Sequence, residues 1–184
     1  MRTVAALCVS RVSVYHGIAG VDVFDADRDA RTFAGGMPVV AHPPCRSWSA
    51  FTSQQAKPLP GARELGLWCV EQVKQCGGIL EQPAHSRLWA AAGLPAPGIV
   101  ADPLSWSLEV WQAWWGYPLK KSTWLYFSGI DPTAVHIPMR LHAKGRDRRR
   151  EQVMSKNQRA ATCPAFAEWL VAIARQVNRQ DIAA

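Results

Sequence analysis

The sequence predicts an α/β layer fold, and three observations carry that reading. Short apolar runs of strand composition recur between turn-forming Gly and Pro residues. Two longer stretches have the apolar spacing of a helix packed on a sheet, and these helical stretches alternate with the strands. The 184 residues are 48% hydrophobic and 19% charged. That is the composition of one globular domain spanning residues 1–184, and no run reaches the ~18 uninterrupted apolar residues of a membrane helix. Disorder and membrane spanning are therefore not expected.

The elements follow in order along the chain. Val4 to Val9 reads as a buried first strand, and because Ser10 and Arg11 break the run with no small-residue cleavage site after it, a signal peptide is not expected. Val21-Asp22-Val23-Phe24-Asp25 is a second strand, entered through Gly17 and Gly20, and Pro38 to Ala41 is a third, closed by His42-Pro43-Pro44. Between Gly61 and Cys76 the apolar residues Leu65, Trp68, Cys69, Val73 and Cys76 keep helical spacing, and Gly77-Gly78 sits where a glycine ends a helix. Gly78-Ile79-Leu80-Glu81 is a buried strand, and Ala90 to Asp102, with Pro95, Pro97 and Gly98, is a loop. Trp106 to Gln112 alternates as a strand does, and Thr123 to Phe127 is its neighbour across the Gly116 to Lys121 turn. A carboxyl-terminal helix is expected within 160–180, started by Pro164 and packed through Phe166, Trp169, Leu170, Ile173 and Val177.

Charge is concentrated rather than spread. Lys and Arg number 21 against 14 Asp and Glu, a formal net charge of +7. Residues 140–159 hold eight basic side chains, among them Arg146, Arg148, Arg149 and Arg150, against Asp147 and Glu151, a net of +6. A polar, glycine-containing block of this kind is a phosphate-contacting loop or insert, because Lys and Arg beside phosphates release condensed counterions. A solvated basic loop, or a contact for an acidic protein, has the same composition. The five dispersed cysteines contain no C-x-x-C pair, which fits reduced thiols and a cytoplasmic location.

In α/β folds ligands bind beyond the carboxyl ends of the strands. Here those ends read His42-Pro43-Pro44-Cys45, Glu81-Gln82-Pro83 and Gly116-Tyr117-Pro118-Leu119-Lys120-Lys121. A cysteine held on a stiff Pro-Pro turn, with Arg46 beside it to favour the thiolate, has the position of a nucleophile. A carboxylate at a neighbouring strand end, Glu81, is placed to hold or protonate a ring nitrogen while the thiolate attacks carbon. A small packed cysteine and an ordinary loop acid would read the same way singly.

These segments carry a resemblance. Pro43-Pro44-Cys45-Arg46-Ser47-Trp48-Ser49 resembles the Pro-Cys-Gln nucleophile loop of the DNA cytosine-5 methyltransferases, and Glu81-Gln82-Pro83 resembles that family's Glu-Asn-Val or Glu-Asn-Pro strand end. Trp115 to Lys121, with the strand after it and Gly129, resembles its Tyr-Gly-Val-Pro-Gln-x-Arg-x-Arg segment. The chain also resembles small phage and prophage proteins with the same His-Pro-Pro-Cys-Arg opening. The resemblance spans roughly residues 39 to 129 and implies a reduced Rossmann-like, methyltransferase-type mixed sheet with flanking helices. It implies DNA as partner and S-adenosylmethionine as cofactor, with Cys45 adding to C6 of a flipped-out pyrimidine, Glu81 on the ring nitrogen and Lys121 as the matched basic residue. Gly17, Gly20, Asp25 and Pro43 are then the candidate cofactor contacts. Arg46, Trp48, Ser49 and Lys120, with the four arginines above, are the candidate DNA contacts. The family's glycine-rich Phe-x-Gly-x-Gly-Gly loop has no counterpart, since Val9 runs into Ser10-Arg11-Val12-Ser13, and the chain after Gly129 is too short for a separate target-recognition domain.

Other readings share these residues. His42-x-x-Cys45 has the spacing of half a zinc site, to be completed by Cys76 and His85; a zinc deaminase would need a second cysteine after Cys45; and a Cys-His hydrolase needs one histidine near Cys45. A diverged nucleic-acid-binding protein of the same fold, or a pyrimidine-modifying enzyme with another co-substrate, are the alternatives closest to the resemblance. Of the nine tryptophans, Trp48 is the one expected to stack on or pack against a base, and most of the others are expected to pack the sheet.

Overall fold

The computed structural model describes residues 1–49, 60–100, 102–138 and 161–178. The basic segment 140–159, with Arg146, Arg148, Arg149 and Arg150, lies outside the described residues. Six strands, β1 (Val4–Leu7), β2 (Val21–Phe24), β3 (Val39–Ala41), β4 (Gly78–Pro83), β5 (Ser105–Trp111) and β6 (Ser122–Ser128), form one mixed sheet in the order β2-β1-β3-β4-β6-β5. Strands β1 to β4 are mutually parallel, and β6 runs antiparallel between β4 and β5. The helices are α1 (Ala62–Cys76), the single turn α2 (Leu88–Ala91) and α3 (Pro164–Ala174). None of the described helices is long and apolar enough to cross a membrane.

The alternation of side chains along each strand builds two cores, one on each face. Val4, Ala6, Val40, Ile79, Leu125 and Phe127 lie with α3, through Phe166, Leu170 and Ile173. Ala5, Leu7, Val39, Ala41, Leu80 and Tyr126 lie with α1, through Cys69, Val70 and Val73. Strands covered on both sides need apolar residues at every position, which is why β1 and β3 are unbroken apolar runs, buried throughout. Pro164 starts α3 at its first turn, where its missing N–H costs nothing. Gly77 closes α1 in the left-handed region, and Gly78 follows at φ +132°, with Val39 O only 2.0 Å from where a Cβ would stand.

Departures from the expected boundaries have local causes. Strand β1 stops at Leu7 because Cys8 turns to φ +61°. The one-turn α2 takes Ala90 and Ala91 from the expected 90–102 loop, and the helix expected within 160–180 spans Pro164–Ala174. The pairing of β5 with β6 across the 116–121 turn was readable in sequence, whereas the insertion of β6 beside β4 is a long-range choice.

Candidate active site at the carboxyl edge of the sheet

Parallel pairing brings the carboxyl ends of β1 to β4 to one edge. Strand β5, antiparallel to β6 as β4 is, also ends there, and β6 begins there. Neighbours of β1 lie on opposite sides, β2 and β3, so the chain reverses its winding between β1 and β3, the crevice where doubly wound sheets hold ligands. Cys45, Glu81 and Lys121, far apart in sequence, all sit on this edge.

Cys45 opens a 3₁₀ turn (Cys45–Ser47) after Pro44 and is exposed. The turn is closed by Trp48 N–H donating to Cys45 O at 3.0 Å. Buried Gln82 fastens it to β4, its Nε2 donating to Pro43 O while its Oε1 accepts from Ser86 Oγ at 3.3 Å. The residue after Glu81 thus holds the loop carrying Cys45. Pro43 is buried and contributes this carbonyl.

Glu81 is held from both sides. Its Oε2 lies 3.0 Å from His42 Nδ1, and its Oε1 accepts from Gln112 Nε2 at 3.4 Å. Gln112 also donates to Thr123 Oγ1 at 3.1 Å, and His42 Nε2 lies 2.8 Å from the hydroxyl of fully buried Tyr15. A carboxylate with side-chain exposure of 12% needs such donors to remain charged. Burial pushes Glu81 up, but the hydrogen bond and charge of His42 and the charge of Lys121 outweigh it, leaving the carboxyl below its ordinary value. Tyr15 moves the other way: burial and the Glu81 charge hold its hydroxyl well above the ordinary range.

The cysteine feels the same field. Partial desolvation of the sulfur and the Glu81 charge push the Cys45 thiol up, against opposing but smaller effects that include Lys121 and Arg46. The expectation that Arg46 tips Cys45 toward thiolate is therefore corrected: Arg46 is exposed and is outweighed. Lys121 has φ +34°, with its carbonyl taken by Gln112 N–H and Thr123 Oγ1 and its Nζ donating to Ala161 O at 3.0 Å. Backbone strain of this kind persists only where the surroundings impose it. Exposed Lys120 places its Nζ 3.6 Å from the centre of the Trp111 ring. Ala161 is the first described residue after the basic segment.

Other expected site residues lie elsewhere or are otherwise engaged. Trp48 is 5% exposed, within the α1-side core, with its Nε1 pressed against Gly66 of α1, so it is a core residue and is not presented to a base. Ser49 follows it, half-buried. Asp25 stands at the end of β2, but its Oδ1 accepts from the backbone N–H of Asp27 and Arg28, and its Oδ2 lies 3.4 Å from His16. The turn hydrogen bonds from Arg28 and Asp27 hold its carboxyl below its ordinary value. Gly17 ends the 3₁₀ turn Val14–Gly17. Gly20 precedes β2 at the opposite, amino edge, where its carbonyl accepts from Val4 N–H and Met1 and Arg175 close over it.

Both ring nitrogens of His42 are used inward, which takes it out of a Cys-His hydrolase and out of a half-zinc site with Cys45. Among the described residues no group of three or more His, Cys, Asp and Glu side chains is arranged to hold a metal ion. Sequence reasoning missed Tyr15 and Gln112 and weighed His42 only as a ligand or base. The one available signal was that His42 and Gln112 both stand at strand ends.

No family model, curated protein or solved structure matches this chain.

Proposed function

We propose that this protein modifies a pyrimidine base of DNA through covalent addition of Cys45 to C6, the base-attacking chemistry of the cytosine-5 methyltransferases that its three strand-end motifs resemble. The observation that carries the reading is the meeting of Cys45, Glu81 and Lys121 on one sheet edge, where the Glu81 and Lys121 charges act in opposite directions on the Cys45 thiol and Lys121 also acts on Glu81. The sheet supports it: four parallel strands wound both ways from β1, with one antiparallel strand inserted near the far edge, are compatible with a reduced Rossmann-like layout. The base must leave the helix stack to reach Cys45. Addition of sulfur to C6 makes C5 nucleophilic; C5 takes an electrophile, loses its hydrogen, and expels the thiolate.

S-adenosylmethionine does not fit the residues at this edge. At the β1 and β3 ends the Tyr15 hydroxyl and His42 Nε2 are bonded to each other, Asp25 is engaged by its own turn, and Gly20 is at the far edge. The resemblance therefore extends to attack on the base, and the electrophile comes from another co-substrate. A solvent proton suffices to reveal the addition: DNA tritiated at cytosine C5 is expected to release tritium to water in the presence of the protein and not with Cys45→Ser. Release that is unchanged in Cys45→Ser, or absent from both, contradicts the proposal. The raised Cys45 thiol favours one second reading, a DNA-binding protein of the same fold without catalysis. That reading predicts tight DNA binding with no tritium release.

A further inference from the structure

We infer that His42, backed by Tyr15, is a positioning residue and proton reservoir for Glu81, supplying through that carboxylate the proton a pyrimidine ring nitrogen takes up as Cys45 adds. The inference rests on the proposed function. Its geometric basis is a continuous hydrogen-bonded chain, Tyr15 hydroxyl to His42 Nε2 at 2.8 Å and His42 Nδ1 to Glu81 Oε2 at 3.0 Å. The chain is withdrawn from water, with side-chain exposure of 11% for His42 and 12% for Glu81 and Tyr15 fully buried.

Holding a buried carboxylate needs only donors, and Gln112 already shows that an amide serves. A histidine adds the ability to gain and lose a proton, and its second neighbour is matched to both states. The Tyr15 hydroxyl accepts from Nε2–H of the imidazolium and of the neutral ring left once Nδ1 has passed its proton on, and Glu81, while it carries that proton, donates it back to Nδ1. Tyr15 itself keeps its proton, because burial and the Glu81 charge hold its hydroxyl high. The mobile proton is therefore shared between His42 and Glu81. The ionisable groups around His42 are Tyr15 from the turn after β1, Glu81 at the end of β4, Cys45 three residues on, and Lys121 before β6, whose charge acts on Glu81 and Cys45.

The step balances within these groups. The Cys45 Sγ–C6 bond forms, the C5–C6 π pair moves to C4–C5, and the C4–N3 π pair becomes a lone pair on N3. N3 takes a proton from Glu81 as Glu81 takes one from His42 Nδ1. Imidazolium and thiolate give way to neutral imidazole and a neutral adduct, and elimination runs the same path backwards. A protonated Glu81 also no longer opposes the thiolate of Cys45.

The experiment is tritium release from C5-labelled cytosine DNA, followed from about pH 6 to about pH 9, for the wild type, His42→Gln and Tyr15→Phe, with thermal melts of each. His42→Gln keeps a donor to Glu81 and removes the reservoir. It is expected to lose about 100-fold in rate near neutral pH and to keep rising with pH as the Cys45 thiolate forms, where the wild type, which needs imidazolium and thiolate together, levels off. Tyr15→Phe is expected to keep part of the rate and to level off at lower pH, because the imidazolium loses its acceptor. A wild-type rate and profile in His42→Gln overturns the inference. If His42→Gln does not fold, the profile of Tyr15→Phe decides: an unshifted levelling-off overturns the inference too. Absence of release from the wild type overturns the proposed function, and this inference with it.

Discussion

At the scale of the residue, the opposed shifts of Cys45 and Glu81 have measurable signs. The Cys45 thiol lies above its ordinary value, with Glu81 among the causes, so its alkylation by iodoacetamide is expected to be slow near neutral pH and to speed up on the alkaline side. Glu81→Gln removes the opposing charge and should speed alkylation several-fold at neutral pH, while Lys121→Ala should slow it. Mass spectrometry of the Cys45 peptide reads both, and unchanged rates would separate Cys45 from these two charges. Glu81 also contributes to stability in one direction only. Its folded value is below the ordinary 4.5, so its contribution is present above that pH and is lost as pH falls through the lowered value. Melting temperatures of Glu81→Gln below about pH 4.5 are expected to fall less steeply than those of the wild type. Cys45 and Glu81 were legible from sequence because each ends a recognisable strand. Tyr15 and His42 were not legible as Glu81's support, because nothing local links them: the order β1-β3-β4 brings them together.

At the scale of the element, two glycines decide how α1 meets its neighbours. A Cβ at Gly78 would stand 2.0 Å from Val39 O with the backbone at φ +132°, so Gly78→Ala is expected to destabilise by about 3 kcal/mol or more. Gly66 is in mid-helix, where alanine ordinarily gains about 1 kcal/mol. Here a Cβ would come 2.3 Å from Trp48 Nε1, and overpacking of about 1–3 kcal/mol reverses the sign. Denaturant midpoints should therefore fall for Gly66→Ala and recover in part when it is combined with Trp48→Phe. This contact explains the one misread aromatic. An indole beside a nucleophile loop looks like a base-stacking surface, and only the docking of α1 through Gly66 turns it into core. The strands themselves were legible because burial on both faces demands apolar residues at every position. Their ends shifted where a single backbone angle, as at Cys8, stops the ladder.

At the scale of the whole molecule, the charge divides between the basic block of residues 140–159, with a net of +6, and a remainder that is nearly neutral. If that block grips phosphates, neutralising Arg146, Arg148, Arg149 and Arg150 together should weaken DNA binding. It should also flatten the plot of log affinity against log salt by about 3 to 4, as read by fluorescence anisotropy. An unchanged slope would assign the block to another partner. The proposed chemistry requires Cys45 to bond to a base. The most direct measurement is mass spectrometry of the protein incubated with random-sequence DNA containing 5-azacytosine, whose ring nitrogen at position 5 takes up a proton on addition and so retains the adduct. A nucleotide adduct on Cys45, absent from Cys45→Ser, is the predicted result; no adduct, or one carried by a different cysteine, would contradict the account.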